Sequence, residues 1–435
     1  MVEPARVTAD EMLRLGLALQ GGGSHGAFGW GVLHELLAAA PGVEIAALSG
    51  TSAGAINAAV YADGWLRRPD DPRRGASDAL ARFWRLNMTA TAAITMGALR
   101  PMPWDALRRD PTLKHNPLYL ALDLAGRVIS PHDPFGGAAR GNPLAHLLEH
   151  WYGLDATRLR DPAAPLVFLT ATDVSTGEAV VFDNSELTLS AVLASACLPT
   201  LMPAVEVKGR PMWDGGYSGN PALWPLVRHT DVDDVLIVQV NPVDVDRPHD
   251  TARDVVNRIN EITFNGSLLA ETRAHERLND LHLVLDELCV GVAALPAAER
   301  KAVLSRLARW MRAVEAARAR TQRLRGVAHR WRVPRALMDL LATEPLDGQR
   351  LDTRQFEEHP LRPVALHIIH GDDALDRFDA SSKFNATPEF MNELFGLGRL
   401  KAREWLARRL PVILGNRAAG VAVSTFEPQA GLSGR

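Results

Sequence analysis

Short apolar runs, separated by turns and by helical patterns, recur along the chain up to about residue 240. Leu13 to Leu19 and Val43 to Ser49 have the length of strands, and each is followed by a segment with the helical spacing of apolar residues. Because strands of a parallel sheet are buried on both faces, this alternation predicts an α/β protein with a mostly parallel sheet. Later runs of the same kind are Leu166 to Ala171, Ala179 to Phe182 and Val235 to Val240.

A glycine-rich turn separates the first predicted strand from a helix expected over Ala27 to Ala39. Backbone N–H groups at such a turn have no partner within the helix, so they form an anion site. That site suits either the pyrophosphate of a dinucleotide or the oxyanion of an attacked carbonyl. The dinucleotide hypothesis requires an acidic residue at the tip of the second strand, whereas Glu44 lies near its start. The residues of the turn are Gly21, Gly22, Gly23, Ser24, His25 and Gly26.

A G-x-S-x-G sequence follows the second predicted strand and precedes a helix-forming segment, Ala55 to Ala62. Glycines at such a strand-to-helix turn allow a sharp bend that presents the serine hydroxyl at the sheet edge. In α/β-hydrolases this elbow follows several strands, but here it follows only the second, which argues against that fold. Small residues also occur in series at ordinary tight turns. The residues of the elbow are Gly50, Thr51, Ser52, Ala53 and Gly54.

A serine hydroxyl needs a base to become a good nucleophile, and Asp214 is the best candidate. It follows a predicted hairpin of Val205 to Lys208 and Pro211 to Trp213 and precedes Gly215 and Gly216. The alternative for this Asp-Gly sequence is a simple loop-closing turn. The late histidines, His367 and His370, lie in a predicted strand, where histidine is more often structural.

With the glycine turn, the serine elbow and the Asp-Gly-Gly sequence in this order, the chain resembles the patatin-like phospholipases, a family of lipid acyl hydrolases that use a Ser/Asp dyad. The resemblance rests on the glycine turn, the elbow, the Asp214-Gly215-Gly216 motif and the segment from Ser195 to Pro199 ahead of it. It implies a patatin-like three-layer α/β fold with a mostly parallel central sheet and a helical C-terminal extension, and it implies no metal and no cofactor.

Carried onto this chain, the resemblance implies Ser52 as nucleophile and Asp214 as proton acceptor, with the N–H groups of Gly22, Gly23 and Ser24 as the oxyanion hole. The family commonly has Arg or Lys in the turn where this chain has His25, so the turn lacks that fixed positive charge. An ordinary aspartate, with a pKa of about 3.9, is a weak base for a hydroxyl, so the mechanism requires desolvation of Asp214.

The expected function is hydrolysis of carboxylic esters in phospholipids or other acyl lipids. Two alternatives stay open: a transacylase that passes the acyl group to an acceptor other than water, and a lipid-binding protein without catalysis. The intact Ser52, Asp214 and glycine turn favour an enzyme, because binding alone does not require all three.

The catalytic domain is expected over residues 13–242, and a mainly helical extension over 243–435 with a strand returning at 364–369. The segment 63–152 is rich in Pro, Arg and Trp. It is either a lid or acyl-binding wall over the active site, or an ordinary surface insertion.

The charge pattern adds one candidate surface for membrane contact, and the composition points to no further catalytic site. The net charge of −3 gives no nucleic-acid signal, and Cys197 and Cys289 are expected to be free thiols. Segment 299–335 has twelve Lys or Arg against two Glu, which suits either peripheral contact with an anionic membrane or a core-packing helix with solvated arginines. We see no signal peptide or membrane-spanning run, so the expected location is cytoplasmic or peripheral at the membrane, and the oligomeric state is open.

Overall fold

The computed structural model describes residues 12–94, 97–128, 142–245, 250–307, 309–310, 331–333, 356–358, 364–371, 373–376 and 378–418. The chain divides into two compact units. The first comprises Met1–Thr272 and Ala365–Val423, and the second comprises Arg273–Val364 and Ser424–Arg435.

An eight-stranded mixed sheet forms the centre of the first unit, with the order β10-β7-β1-β2-β3-β6-β5 and with β4 paired to β3. The five strands from β10 to β3 are mutually parallel, while β4, β5 and β6 pair antiparallel. The predicted mostly parallel α/β sheet is therefore confirmed. The strands of the chain are β1 Leu13–Leu19, β2 Val43–Thr51, β3 Leu166–Asp173, β4 Ala179–Phe182, β5 Val205–Val207, β6 Arg210–Asp214, β7 Asp234–Gln239, β8 Trp331–Val333, β9 Phe356–Glu358 and β10 Ala365–His370.

Helices flank this sheet. The apolar stripe predicted on the first of them, with Phe28, Val32 and Leu33, is buried in the core. The helices are α1 Gly26–Ala39, α2 Ala53–Arg67, α3 Pro72–Ile94, α4 Pro103–Leu107, α5 Pro117–Val128, α6 Pro143–His146, α7 Leu189–Ser195, α8 Trp224–His229 and α9 Ala252–Ala294, followed by residues 297–307, Asp373–Asp376, Pro388–Arg408 and Leu410–Ala418.

Helix α3 belongs to the core, although it lies in the segment 63–152 for which a lid was one hypothesis. Its Phe83 and Trp84 are buried, and the Trp84 indole N–H donates to the side-chain oxygen of Asn57 in α2 at 2.9 Å. The Arg73 guanidinium donates to four backbone carbonyls around the C-terminal end of α1, where helical carbonyls lack intrahelical partners. A lid or acyl-binding role for the rest of this segment stays a prediction.

The described part of the second unit contains the end of α9, the helix 297–307 and the two-stranded parallel sheet β8–β9. Most of the basic segment 299–335 lies outside the described residues, so its membrane role stays a prediction. In the part of the chain that the structure describes, no helix has the length and apolar character needed to cross a bilayer. Cys197 is a buried free thiol, as expected from the sequence.

Candidate active site

Strand β3 brings Ser52 and Asp214 together. Thr170 in β3 pairs with Thr51, the last residue of β2, and the next β3 residue, Ala171, pairs with Asp214 at the end of β6. Strands β2 and β6 share one edge of β3, because β4 pairs along the other edge over residues 169–172. Ser52 and Asp214, which are far apart in sequence, therefore meet where the C-terminal ends of β2 and β6 face each other along one edge of β3.

Ser52 occupies the sharp turn between β2 and α2 in a strained backbone conformation. Its φ of 55° and ψ of −121° lie in a region that residues other than glycine rarely adopt. The flanking glycines are required by space, since a Cβ on Gly50 would lie 2.5 Å from the carbonyl oxygen of Gly54. The Ser52 backbone N–H donates to the Ser195 hydroxyl at 3.0 Å, and that hydroxyl donates to the Thr170 carbonyl at 2.6 Å. The turn is thereby fastened to α7 and β3.

Asp214 is fully buried and has one carboxylate oxygen left for a reaction. Its Oδ1 accepts the Gly216 backbone N–H at 2.7 Å, whereas Oδ2 has no hydrogen-bond partner among the described residues. The Ser52 hydroxyl is close enough to lower the pKa of this carboxyl but forms no well-aligned hydrogen bond in the resting structure. Resting geometry of this kind is common before substrate binds.

Burial gives Asp214 the basicity that an ordinary aspartate lacks. Loss of solvation raises its pKa to about 6, against the opposing effects of the Gly216 N–H, the Ser52 hydroxyl and the Lys383 charge. The carboxyl is therefore ionised at neutral pH but is a far better proton acceptor than in water. This agrees with the desolvation that the sequence argument required.

The glycine turn presents unpaired backbone N–H groups beside Ser52. A three-residue 3₁₀ helix, Gly23–His25, follows Gly22, and among the described residues no acceptor is found for the N–H groups of Gly22, Gly23 and Ser24. The turn lies close against the elbow, since a Cβ on Gly21 would be 2.6 Å from the Ser52 Cβ. Gly23 has a φ of +58°. Backbone amides without an internal acceptor at such a turn are available to bind a negative oxygen.

The buried amide side chains of Gln20, Asn220 and Asn241 form a hydrogen-bond network around the turn. The Gly21 N–H donates to the side-chain oxygen of Asn220 at 2.7 Å, and the Gly21 carbonyl accepts from the side chain of Asn241 at 2.9 Å. Gln20 in turn accepts the backbone N–H groups of Val240 and Asn241, each at 2.8 Å. Because each amide is paired on more than one side, the turn is preorganised at the carboxyl ends of β1 and β7.

His25 is a neutral packing residue in this structure. Its Nε2 hydrogen-bonds the Ser382 hydroxyl at 2.8 Å, and its ring contacts those of Phe378 and Phe390. Burial, with a smaller effect of the nearby Lys383 charge, lowers its pKa to about 3. His25 therefore carries no charge at neutral pH, so it does not replace the fixed positive charge that the family commonly has at this position.

A lysine from the C-terminal part of the chain lies beside the turn instead. The Lys383 ammonium donates to the side-chain oxygen of Asn241 at 2.6 Å and lies 5.6 Å from the centre of the Phe264 ring. Its backbone carbonyl packs on the turn, since a Cβ on Gly23 would be 2.5 Å from that oxygen. No sequence motif marks chemistry in this region.

Comparison with known protein families gives a match over the part of the chain that contains these residues. The family model of the patatin-like phospholipases matches residues 17–227, which contain the turn, the elbow and Asp214. Residues 17–227 form a patatin-like phospholipase domain. At the level of the family, the match supports a lipid acyl hydrolase.

The chain is also similar to solved structures, at low sequence identity. VipD from Legionella pneumophila is 18% identical with a TM-score of 0.30, and the match covers 63% of this chain and 56% of VipD. ExoU of the Pseudomonas aeruginosa type III secretion system, solved in complex with SpcU, is 17% identical with a TM-score of 0.22. That match covers 76% of this chain and 67% of the ExoU chain. No curated protein sequence matches the chain significantly.

The structure brings together every residue that the motifs of the patatin-like domain singled out, and it adds four that they did not assign. Ser195 lies in a segment noted for resemblance alone, and it supports the elbow. Asn220 follows the Asp-Gly-Gly motif closely, but nothing in the local pattern marks its contact with the turn. The remaining two are Asn241 and Lys383.

The two histidines late in the chain, His367 and His370, both lie in strand β10. His367 in β10 is buried and hydrogen-bonds Asp234 in β7 at 2.7 Å, which gives it a structural partner. His370 ends the same strand and is half-buried. Among the described residues no cluster of three or more His, Cys, Asp or Glu has the arrangement of a metal site.

Proposed function

We propose that the protein hydrolyses carboxylic esters of phospholipids or related acyl lipids, with Ser52 as nucleophile, Asp214 as general base and the glycine turn as oxyanion hole. The observation that carries this proposal is the position of Ser52. It stands in a strained turn between a fully buried carboxylate and a row of backbone amides. Among the described residues, one oxygen of that carboxylate has no hydrogen-bond partner and no acceptor is found for the amides. Strained backbone of this kind clusters at functional sites, and here the strained residue is itself the candidate nucleophile.

In the acylation half-reaction, the Ser52 oxygen attacks the ester carbonyl carbon while its proton passes to Oδ2 of Asp214. The negative charge that develops on the carbonyl oxygen is bound by the N–H groups of Gly22, Gly23 and Ser24. The tetrahedral intermediate then expels the alcohol, which takes the proton from Asp214, and the acyl group remains on Ser52 as an ester.

In the deacylation half-reaction, a water molecule replaces the alcohol. Asp214 accepts a proton from this water as its oxygen attacks the acyl-serine, and the same amides bind the second oxyanion. Collapse of that intermediate releases the carboxylic acid and returns the proton to the Ser52 oxygen. One carboxylate therefore serves both halves, and a pKa of about 6 suits it to accept and return protons near neutral pH.

A panel of esters tests this function and separates it from acyl transfer. The purified full chain is incubated with a diacyl phospholipid, a neutral triglyceride and a short-chain p-nitrophenyl ester, in water with and without an added alcohol. We expect free fatty acid from the lipid substrates and loss of all release in Ser52→Ala. Transfer of most acyl groups to the alcohol at low concentration would assign a transacylase, and no turnover of any ester would overturn the proposal.

A further inference from the structure

Lys383 reaches the glycine turn directly through its backbone and indirectly, by way of Asn241, through its side chain. The backbone carbonyl of Lys383 lies against Gly23, and its ammonium donates to Asn241, which holds the Gly21 carbonyl through the other end of its amide. The segment that carries Lys383 is itself fixed to the turn, because the adjacent Ser382 hydroxyl bonds the His25 ring. The position of the ammonium is therefore coupled to the position of the turn through Asn241 and the Gly21 carbonyl.

Lys383 also supplies a positive charge near Asp214. Around Asp214, the titratable groups that face it are Cys197, Tyr217 and Lys383. Burial raises the pKa of Cys197 to about 11 and that of Tyr217 to about 12, so both are neutral at working pH. His25, which faces Lys383, is neutral as well. Within the described part of the chain, Lys383 is the cation whose charge acts on Asp214.

We propose that Lys383 is an electrostatic and positioning residue of the active site, which holds the glycine turn through Asn241 and stabilises the oxyanion formed there. This inference rests on the proposed function. During acylation, the proton from Ser52 neutralises Asp214 and the negative charge appears on the carbonyl oxygen at the turn. A cation fixed to the turn in a poorly solvated site favours that oxygen more strongly than it would in water.

The variants are Lys383→Met, which keeps the stem and removes the charge, and Lys383→Arg, which keeps a charge. Lys401→Met is the matched control, because Lys401 is also half-buried and pairs with Glu404 on the helix Pro388–Arg408. Each full-length variant is assayed with an uncharged p-nitrophenyl ester and an anionic phospholipid, and its reaction with a fluorophosphonate is followed from about pH 4.5 to 9. Thermal unfolding is measured in parallel.

We expect Lys383→Met to lower kcat/KM by about tenfold for both substrates, a smaller loss than removal of a direct oxyanion donor causes. The rate of the fluorophosphonate reaction falls at low pH as Asp214 is protonated, and we call this fall the acid limb. We expect the acid limb to move upward by about half a pH unit in Lys383→Met, because the variant lacks the positive charge that favours the ionised carboxylate. Lys383→Arg should recover much of the rate and return the limb toward the wild-type position, and Lys401→Met should match the wild type.

Different failures lead to different conclusions. If the wild type does not react with the fluorophosphonate at Ser52, the proposed function falls and this inference falls with it. If the wild type reacts and Lys383→Met matches it in rate and pH limb, the inference alone is overturned. If Lys383→Met loses activity only toward the anionic phospholipid, Lys383 is a head-group contact instead. If Lys383→Met loses rate while its acid limb stays in place and its unfolding temperature falls, Lys383 has a structural role. Either result overturns the inference.

Discussion

The hydroxyl of Ser195 accepts a hydrogen bond from the backbone N–H of Ser52 at 3.0 Å. The same hydroxyl donates to the carbonyl of Thr170, the β3 residue that pairs with Thr51. Ser195 thus connects the elbow to the strand that aligns β2 with β6. A backbone held at a φ of 55° needs such external support, because the chain left to itself relaxes from that conformation.

Replacement of Ser195 by alanine should therefore damage the site more than the fold. We expect kcat to fall by roughly tenfold or more and the free energy of unfolding to fall by about 1–3 kcal/mol, since a buried N–H and a buried carbonyl lose their partner. Steady-state kinetics and urea unfolding measure the two effects. Ser185→Ala, at an exposed turn, is the control. An unchanged kcat in Ser195→Ala would show that the elbow holds its geometry without this bond.

The rate of ester hydrolysis should follow the ionisation of Asp214. Its pKa of about 6 places the acid limb of kcat/KM near pH 6, with the rate falling at lower pH as the carboxylate is protonated. His25 does not add to this limb, because its pKa is about 3. A profile of kcat/KM with the p-nitrophenyl ester from about pH 4 to 9 makes the measurement. A limb near pH 4 would mean that Asp214 is solvated in the working enzyme.

Asp214→Asn should be inactive yet more stable than the wild type above pH 6. The folded-state pKa of about 6 exceeds the ordinary value of 3.8, so folding favours the protonated carboxyl. Stability from this group is fully present below pH 3.8 and is lost as pH rises through 6, by about 3 kcal/mol in total. Neutral Asn avoids that loss. Unfolding of both proteins at pH 4 and pH 8 tests this, and an equal difference at the two pH values would contradict it.

Gly23→Ala should remove activity with a modest effect on folding. A side chain at this position meets a φ of +58° and a Cβ position 2.5 Å from the Lys383 carbonyl, so the turn must shift and its amides with it. We expect a loss of about 10² to 10³ in kcat, as for an oxyanion donor. Gly42→Ala is the matched control, because a Cβ there meets no atom within 4 Å. Near-normal turnover by a folded Gly23→Ala variant would argue that the oxyanion is bound elsewhere.

The sheet could be predicted, and Ser52 and Asp214 could be singled out as candidates, because their sequence signals are local. Strand β1 matches the apolar run Leu13 to Leu19, and the motifs mark the turns that follow β1, β2 and β6. Element ends were less predictable. The helix after the elbow begins at Ala53 rather than Ala55, because the sharp turn at Ser52 leads directly into it.

Lys383 was not predictable, since no local pattern marks it. It reaches the turn because β10 pairs with β7 and returns a distant part of the chain to the carboxyl end of the sheet. The same long-range pairing explains why a chain without Arg or Lys at position 25 still has a cation at its glycine turn. Contacts of this kind depend on the order of strands in the sheet, which hydrophobic periodicity does not encode.

Covalent labelling of Ser52 tests the central claim most directly. The wild type, Ser52→Ala, Asp214→Asn and the control His370→Asn are treated with a fluorophosphonate at pH 8, and the modified peptide is identified by mass spectrometry. We predict labelling at Ser52 in the wild type and in His370→Asn, none in Ser52→Ala, and a loss of at least about 10² in rate in Asp214→Asn. Labelling that survives Ser52→Ala, or that depends on His370, would contradict the Ser52/Asp214 dyad.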